Sequence, residues 1–405
     1  MTLKGYKHTE LGVLPEDWEV VRLGDIGKIV GGGTPSTKKV EFWSGTIPWI
    51  SSSDIDENSV FDISQTRYIT QEAISKSSTK PIEPNSILIV SRVGLGKVAV
   101  NQNILCTSQD IQALTQHKQN AFFLVYAIKN LVSLACRINQ GTSIKGFTKE
   151  VLSNLCIPLP PLAEQEKIAE ILSAWDTQIQ NFETLIAEKQ ALKKGLCQTL
   201  LTAKTRLKGF SGDWEVVRLG DVCDVRDGTH ESPKPTNEGK ILITSKNLKG
   251  GKIDFLDSYH ISLEDFEAIN KRSKVEKYDI LMSMIGTVGE VAFVDIEPNF
   301  AIKNVALFKM DGNEKFSKFL FFFFQSSIGK KRILSFLSGS TQKYITLDFL
   351  RNLQIPLPPF TEQEKIAEIL SEVDNEIILL EQKLESLKSQ KKGLMQNLLN
   401  GKVRV

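Results

Sequence analysis

The side chains best suited to metal binding or nucleophilic attack are four histidines (His8, His117, His230, His260) and five cysteines (Cys106, Cys136, Cys156, Cys197, Cys223). None lies at a spacing that either chemistry needs. There is no C-x-x-C pair, no H-E-x-x-H run and no G-x-S-x-G turn, so metal, disulfide and serine-nucleophile chemistry have no starting point. Gly94-Leu95-Gly96-Lys97 has the outline of a phosphate loop's end. However, Ser91 stands where the first glycine belongs, and no Ser or Thr follows Lys97 to meet a metal. Leu357-Pro358-Pro359-Phe360 has the shape of an amine-methylating turn, with leucine where a polar side chain must hold the amine. The chain is expected to carry no catalytic residue, no metal and no cofactor of its own.

What remains is binding. Gly31-Gly32-Gly33-Thr34-Pro35-Ser36 and Arg226-Asp227-Gly228-Thr229-His230 are glycine-rich polar loops whose backbone amides could approach a phosphate, or they are ordinary turns. Two short patches repeat, Gly141-Thr142-Ser143-Ile144-Lys145 and Gly339-Ser340-Thr341-Gln342-Lys343. The candidate contact residues for such binding are Ser36, Lys38, Arg92, Lys97, Thr142, Ser143 and Lys145 in the first half. In the second half they are Thr229, Lys246, Thr341, Gln342 and Lys343. Solvated surface charge is the competing reading for each of the lysines and arginines.

Charge first argues against such binding, since 50 basic and 48 acidic side chains leave only +2. Divided along the chain, residues 1–160 and 206–355 carry +2 each, and residues 161–205 and 356–405 carry −1 each. Mildly basic segments thus alternate with mildly acidic ones. Met1 to Tyr6 precede no apolar leader, and the most apolar run, Phe319 to Phe324, is far short of the roughly 20 residues of a membrane span. A cytoplasmic location without a membrane partner is expected.

The elements that must position these residues come in duplicate. Asp17 to Asp25 (DWEVVRLGD) recurs at Asp213 to Asp221, Ile157 to Pro161 (IPLPP) at Ile355 to Pro359, and Glu164 to Ser173 (EQEKIAEILS) at Glu362 to Ser371. Leu201 to Arg206 (LTAKTR) aligns with Leu399 to Arg404 (LNGKVR). Identities this long, at offsets of 196 and 198 residues, mark a tandem duplication with constant ends and a variable middle.

Strands are predicted at Glu19 to Leu23, Ile47 to Ile50, Ile87 to Val90 and Lys97 to Val100. Helices are predicted over Ala121 to Ile138 and Lys315 to Leu337. After each IPLPP the residues become strong helix formers. Ile366, Leu370, Val373, Ile377, Leu380, Leu384 and Leu387 step by heptads, followed by Leu394 and Leu398. Ile168, Leu172, Trp175, Ile179, Phe182 and Ile186 do the same before the stripe slides to Leu192, Leu196 and Leu200. Thr361 and Glu364 have capping-box spacing. Each helix should run about 40 residues, or about 60 Å, and the two should pack antiparallel to bury their stripes. Glu164, Gln165, Glu166, Lys167 and Glu170 recur as Glu362, Gln363, Glu364, Lys365 and Glu368. Read as the solvent side, they are two like docking faces for two copies of one partner.

End to end, this sequence resembles the specificity subunit of type I restriction-modification enzymes. The resemblance rests on the two D-W-E-x-x-x-L-G-D openings, Gly32 to Ser36, Phe42-Trp43 with Ile47 to Ile50, the two glycine-to-lysine patches and the paired P-L-P-P-x-x-E-Q-E-K-I-A-x-I-L helix starts. The second half departs from it with Asp227-Gly228-Thr229-His230 in place of the Gly-Gly-Thr-Pro-Ser loop.

The resemblance implies two mixed α/β target recognition domains, residues 1–160 and 207–358, separated by long helices in residues 161–206 and 359–405. These helices form an antiparallel coiled coil with pseudo-two-fold symmetry. It further implies that each domain reads half of a split double-stranded DNA site. Two modification subunits would supply S-adenosylmethionine and adenine-N6 chemistry, and restriction subunits bound through them would use ATP and Mg. The same layout also suits a coiled-coil adaptor whose globular ends bind protein.

Overall fold

A computed structural model describes residues 4–138, 146–338 and 344–405. The chain divides into two compact units, Met1–Glu183 with Lys383–Val405, and Thr184–Gln382.

Unit 1 contains β1 (Lys28–Gly31), β2 (Ile47–Ile50), β3 (Ile87–Val90), β4 (Val98–Val100), β5 (Leu105–Thr107) and β6 (Ile111–Thr115). One antiparallel sheet has the order β1-β6-β3-β4. A second sets β2 parallel to β5 and flanks the pair with Tyr68–Ile69 and Pro81–Ile82. Helix α1 (Ala121–Ile138) has the predicted bounds.

The layering follows from β3, whose four residues are all fully buried. Ile87 and Ile89 face the cluster that holds Phe123, Leu124 and Ile128 of α1, whereas Leu88 and Val90 pack with Ile50, Ile82 and Leu105 of the second sheet. A strand covered on both faces must be apolar throughout, which is how Ile-Leu-Ile-Val reads.

Helix α2 (Leu162–Leu200) begins in unit 1 and ends in unit 2.

Unit 2 repeats this topology with other side chains. Its strands are β7 (Asp224–Asp227), β8 (Lys240–Thr244), β9 (Ile280–Ser283), β10 (Val291–Phe293), β11 (Phe300–Lys303) and β12 (Val305–Lys309). The sheet order is β7-β12-β9-β10, and β8 lies parallel to β11. The helix predicted over Lys315 to Leu337 is two helices, α3 (Glu314–Gln325) and α4 (Ser327–Ser338). Ser326 breaks it with an extended backbone, and its hydroxyl both donates to Phe323 O (2.6 Å) and accepts from Gly329 N–H (3.1 Å). A Cβ on Gly329 would stand 2.0 Å from Phe323 O, so only glycine allows the close turn. The apolar run Phe319 to Phe324 lies in α3 and is buried in the core. Helix α5 (Phe360–Leu399) begins in unit 2 and ends in unit 1. It starts at Phe360, one residue before the predicted Thr361 cap, with Glu362 and Gln363 amides both donating to Pro359 O.

The constant blocks are constant because they meet. Glu19–Arg22 pairs antiparallel with Cys156–Leu159, and Glu215–Arg218 pairs with Gln354–Leu357, so each DWEVVRLGD lies beside its own IPLP. A Cβ on Gly24 would stand 3.0 Å from Ser153 Cβ, which accounts for the glycine in that block.

The long helices pack together and run antiparallel. Within unit 1, Lys391 pairs with Asp176 and Lys388 with Glu183 (2.7 Å). Within unit 2, Lys193 pairs with Asp374 (2.5 Å) and Lys189 with Glu376 (2.8 Å). Every predicted stripe residue of α5 is buried or half-buried. On α2, Leu192 is instead 48% exposed, because the half-buried Lys193 occupies the facing position with its ammonium on Asp374.

Candidate nucleic-acid interface

In unit 1 three variable loops are held in place by hydrogen bonds. The glycine loop after β1 is held by Gly33 N–H donating to Thr107 O (2.8 Å), while Gly33 O accepts from Trp49 Nε1 (2.9 Å) and Thr79 Oγ1 (2.8 Å). The turn Ser52–Asp54 follows β2, and the glycine turn Ser91 to Lys97 joins β3 to β4. Lys97 Nζ reaches across to Ser52 O (3.2 Å) and Ile55 O (2.8 Å). Phe147 N–H donates to Ser91 O (2.8 Å), which anchors the chain emerging from residues 139–145 at the same glycine turn.

Unit 2 has the same arrangement. Thr229 N–H donates to Ile302 O (3.0 Å), the turn Ser245–Asn247 follows β8, and Ile345 N–H donates to Met284 O (3.0 Å). Here the loops enclose an open groove of about 810 Å³ lined by Thr244, Lys246, Lys249, Gly286, Thr287 and Asn304, among others.

The predicted contacts fall into three groups. Ser36, Lys38, Arg92 and Lys246 are exposed on these loops, and Thr229 is half-buried beside them. Lys97 is half-buried and spends its ammonium on two backbone carbonyls, so it positions the loops rather than presenting a charge. Thr142, Ser143, Lys145, Thr341, Gln342 and Lys343 lie outside the described residues.

Arg67 and Arg272 escaped the sequence reading, and the partners of His230 could not be read from its loop. Arg67 stacks 4.6 Å over Trp49 and bonds Ser51 Oγ (2.8 Å) and Asp54. His230 bridges Asn304 Oδ1 (3.0 Å) and Asp227 Oδ2 (2.9 Å). Arg272 pairs with the buried Asp227. Arg67 and Arg272 carry no local motif because their partners Asp54 and Asp227 lie 13 and 45 residues away, whereas His230 belongs to the glycine-rich loop that the sequence marks.

The helix starts require a correction. Glu164, Gln165, Glu362 and Gln363, read above as solvent-side docking residues, are buried. Glu164 Oε2 accepts from Trp18 Nε1 (2.9 Å) and its carboxylate also pairs with Arg404 (2.7 Å). Glu362 Oε2 likewise accepts from Trp214 Nε1 (3.1 Å) and pairs with Arg206 (2.8 Å). Gln165 Nε2 donates to Pro160 O (2.8 Å) and Gln363 Nε2 to Pro358 O (2.7 Å). Their repetition is thus explained by the internal frame of each unit: Trp from DWEVVRLGD, Glu from the helix start and Arg from the LTAKTR or LNGKVR segment. Only Glu166, Lys167, Glu170, Lys365 and Glu368 are exposed, with Glu364 half-exposed.

Arg404 holds the Asp17 carboxyl below the usual carboxylate range through their hydrogen bond. Burial pushes the thiols of Cys106 and Cys197 up to about 11 and that of Cys223 to about 12, which suits small buried hydrophobes and not nucleophiles. Burial also lowers Lys129 to about 8, with the Lys391 charge adding to the effect.

Residues 15–189 and 211–389 match the type I restriction modification DNA specificity domain, once in each half. The chain belongs to this family of specificity subunits. It is similar to the type I restriction enzyme MjaVIII specificity subunit of Methanocaldococcus jannaschii, 29% identical over 411 residues covering 97% of this chain and 94% of that protein. A segment of 172 residues is 40% identical to the EcoR124I/EcoR124II specificity subunit of Escherichia coli, covering 40% and 41% of the two chains. The fold is similar to the crystal structure of a type I S subunit from M. genitalium, with TM-score 0.62, 18% identity, and 94% and 96% of the chains covered.

As a specificity subunit the chain is a non-catalytic component of a restriction-modification enzyme, with two target recognition domains in tandem. The protein-adaptor alternative is set aside by this membership. Among the described residues, no helix is long and apolar enough to cross a membrane, and no group of three His, Cys, Asp or Glu could hold a metal ion.

Proposed function

We propose that this specificity subunit reads an asymmetric bipartite DNA site, one half by the loop cluster of each unit. The long helices set the spacing and dock two modification subunits. In this reading residues 1–160 and 207–358 are the recognition domains, and residues 161–206 and 359–405 are the helical segments. The complex works in the cytoplasm. S-adenosylmethionine, ATP and Mg are used by the modification subunits and by restriction subunits that bind through them.

One observation carries the proposal. Two loop clusters of the same backbone design present different side chains, with Thr34, Ser36, Lys38, Arg67 and Arg92 in one and Thr229, His230, Lys246, Thr287 and Asn304 in the other. Base edges are told apart by the donor and acceptor pattern that a few side chains present, so unlike side chains on like loops read unlike half-sites. Identical loops would read a palindrome. The small net charge suits readers whose nonspecific affinity comes largely from partners.

Methylome sequencing of a host with and without the gene tests the reading. Loss of one split adenine-methylation motif is expected on deletion. Exchange of residues 26–140 for another such segment should change one half of that motif, and a change in both halves or in neither refutes modular reading.

A further inference from the structure

Beside the start of α2, unit 1 has a groove of about 470 Å³ with Phe61 and Phe122 as its apolar floor and Ala169, Glu166, Glu170 and Ser173 along the helix. The two rings are 5.6 Å apart and half-exposed. Glu166 and Glu170 are exposed at i and i+4 on one helix face, a like-charge pair that disfavours the helix slightly unless a cation joins it. The ion pairs of α2 in unit 1 run from Glu164, Asp176 and Glu183, and none found among the described residues reaches Glu166 or Glu170.

The duplicate shows what this place accepts. Asn120 Oδ1 caps its helix at Phe123 N–H (3.0 Å), and Asn313 Oδ1 caps its own at Phe316 N–H (3.1 Å), so Phe122 corresponds to Lys315. Val60 O accepts from Val100 N–H at the end of β4, and Gly251 O accepts from Phe293 N–H at the end of β10, so Phe61 corresponds to Lys252. Both aromatic residues of the unit 1 groove are therefore lysines in unit 2. The Lys315 ammonium lies 2.8 Å from Glu364, the counterpart of Glu166. Unit 2 satisfies its helix-start glutamate from within the chain. Unit 1 leaves its glutamates facing an apolar floor.

We propose that the unit 1 groove docks a segment of one modification subunit that places a lysine or arginine between Glu166 and Glu170 and an apolar side chain on Phe61 and Phe122. The matching place in unit 2 is filled by the chain's own Lys315, so the two docking faces are not equivalent. This rests on the proposed docking of modification subunits and goes beyond it in naming the subsite, the chemistry of its occupant and the inequality of the two faces. An intramolecular ammonium must be displaced before a partner cation can reach Glu364, whereas Glu166 awaits one. One modification subunit then binds tightly at unit 1 and a second binds more weakly at unit 2.

The test uses the full chain titrated with the purified modification subunit of the same system, read by native mass spectrometry and sedimentation velocity. Wild type is expected to give a 1:1 complex before a 2:1 complex. F61K/F122K, which copies unit 2 onto unit 1, should weaken the first association at least tenfold and leave the second unchanged. K252F/K315F, which opens unit 2, should strengthen the second association at least tenfold. These substitutions are at half-exposed or exposed positions, and unchanged melting curves would establish that the variants fold. Equal, independent binding to wild type, or no effect of either double variant, overturns the inequality while leaving docking intact. No association of wild type with the modification subunit refutes docking itself, and this inference with it.

Discussion

Replacing Glu164 by glutamine tests whether the repeated helix start is an internal frame. Glu164 Oε2 accepts from Trp18 Nε1 at 2.9 Å and from Arg404 Nη2 at 2.9 Å, and Oε1 accepts from Arg404 Nε at 2.7 Å. Its side chain is 6% exposed. Glutamine keeps one oxygen for Trp18 but turns an amide N–H toward the guanidinium, so donor meets donor and the charge is lost. A hydrogen bond to a charged group contributes about 1.5–3 kcal/mol. Arg404 is 42% exposed and keeps its second partner, Asp17, so water and that carboxylate recover part of the loss. The expected cost is about 2 kcal/mol, or about 4–8 °C in the melting of a unit of this size.

Thermal unfolding followed by far-UV circular dichroism reads this directly, and a cycle with Arg404→Met should show a coupling of about 1 kcal/mol or more. If E164Q melts with wild type and the coupling vanishes, while binding of the modification subunit is lost, the frame argument is wrong. The helix start would then be a docking surface after all.

Other substitutions separate loop contacts from loop scaffolding. R92A and K246A should weaken DNA binding across sequences and lower the salt slope by about 1 each, measured by anisotropy titrations at several salt concentrations. K97M should instead lower the melting temperature, because its ammonium holds Ser52 O and Ile55 O, with the salt slope unchanged. K309M removes the partner of the fully buried Asp279 (2.6 Å) and should cost about 3–5 kcal/mol in urea unfolding, with D279L/K309M recovering much of it. Lys129 sits near 8 when folded, below an unfolded lysine, so the unfolded chain binds more protons between pH 8 and about 10.4 and stability should rise with pH across that window. K129M should abolish that rise, as measured by chemical unfolding at a series of pH values.

Much of the architecture could be read from the chain. Duplicated blocks revealed the two halves, heptad steps revealed α2 and α5, and the apolar Ile-Leu-Ile-Val run revealed β3. Periodicity reports local geometry faithfully when a long apolar face must be buried. It failed at Ser326, where a hydroxyl bonded on both sides breaks a helix that the apolar pattern would have continued. It failed again at Leu192, where an ion pair across the helices displaces the leucine from the stripe.

The loop residues were legible only as candidates. Arg92 and Lys97 look alike in sequence, yet one is exposed and the other is consumed by carbonyls from a different loop. By itself the sequence determined that there are two homologous units, which segments are constant and which vary, and that the helices are long. Whether a constant residue is constant for packing or for a partner was decided by the tertiary structure alone. Glu164 and Glu166 are two positions apart on one helix, and only folding puts the first against Trp18 and Arg404 and leaves the second to solvent. A helix fixes the angle between its side chains, but what lies on each side is supplied by segments as distant as residues 18 and 404.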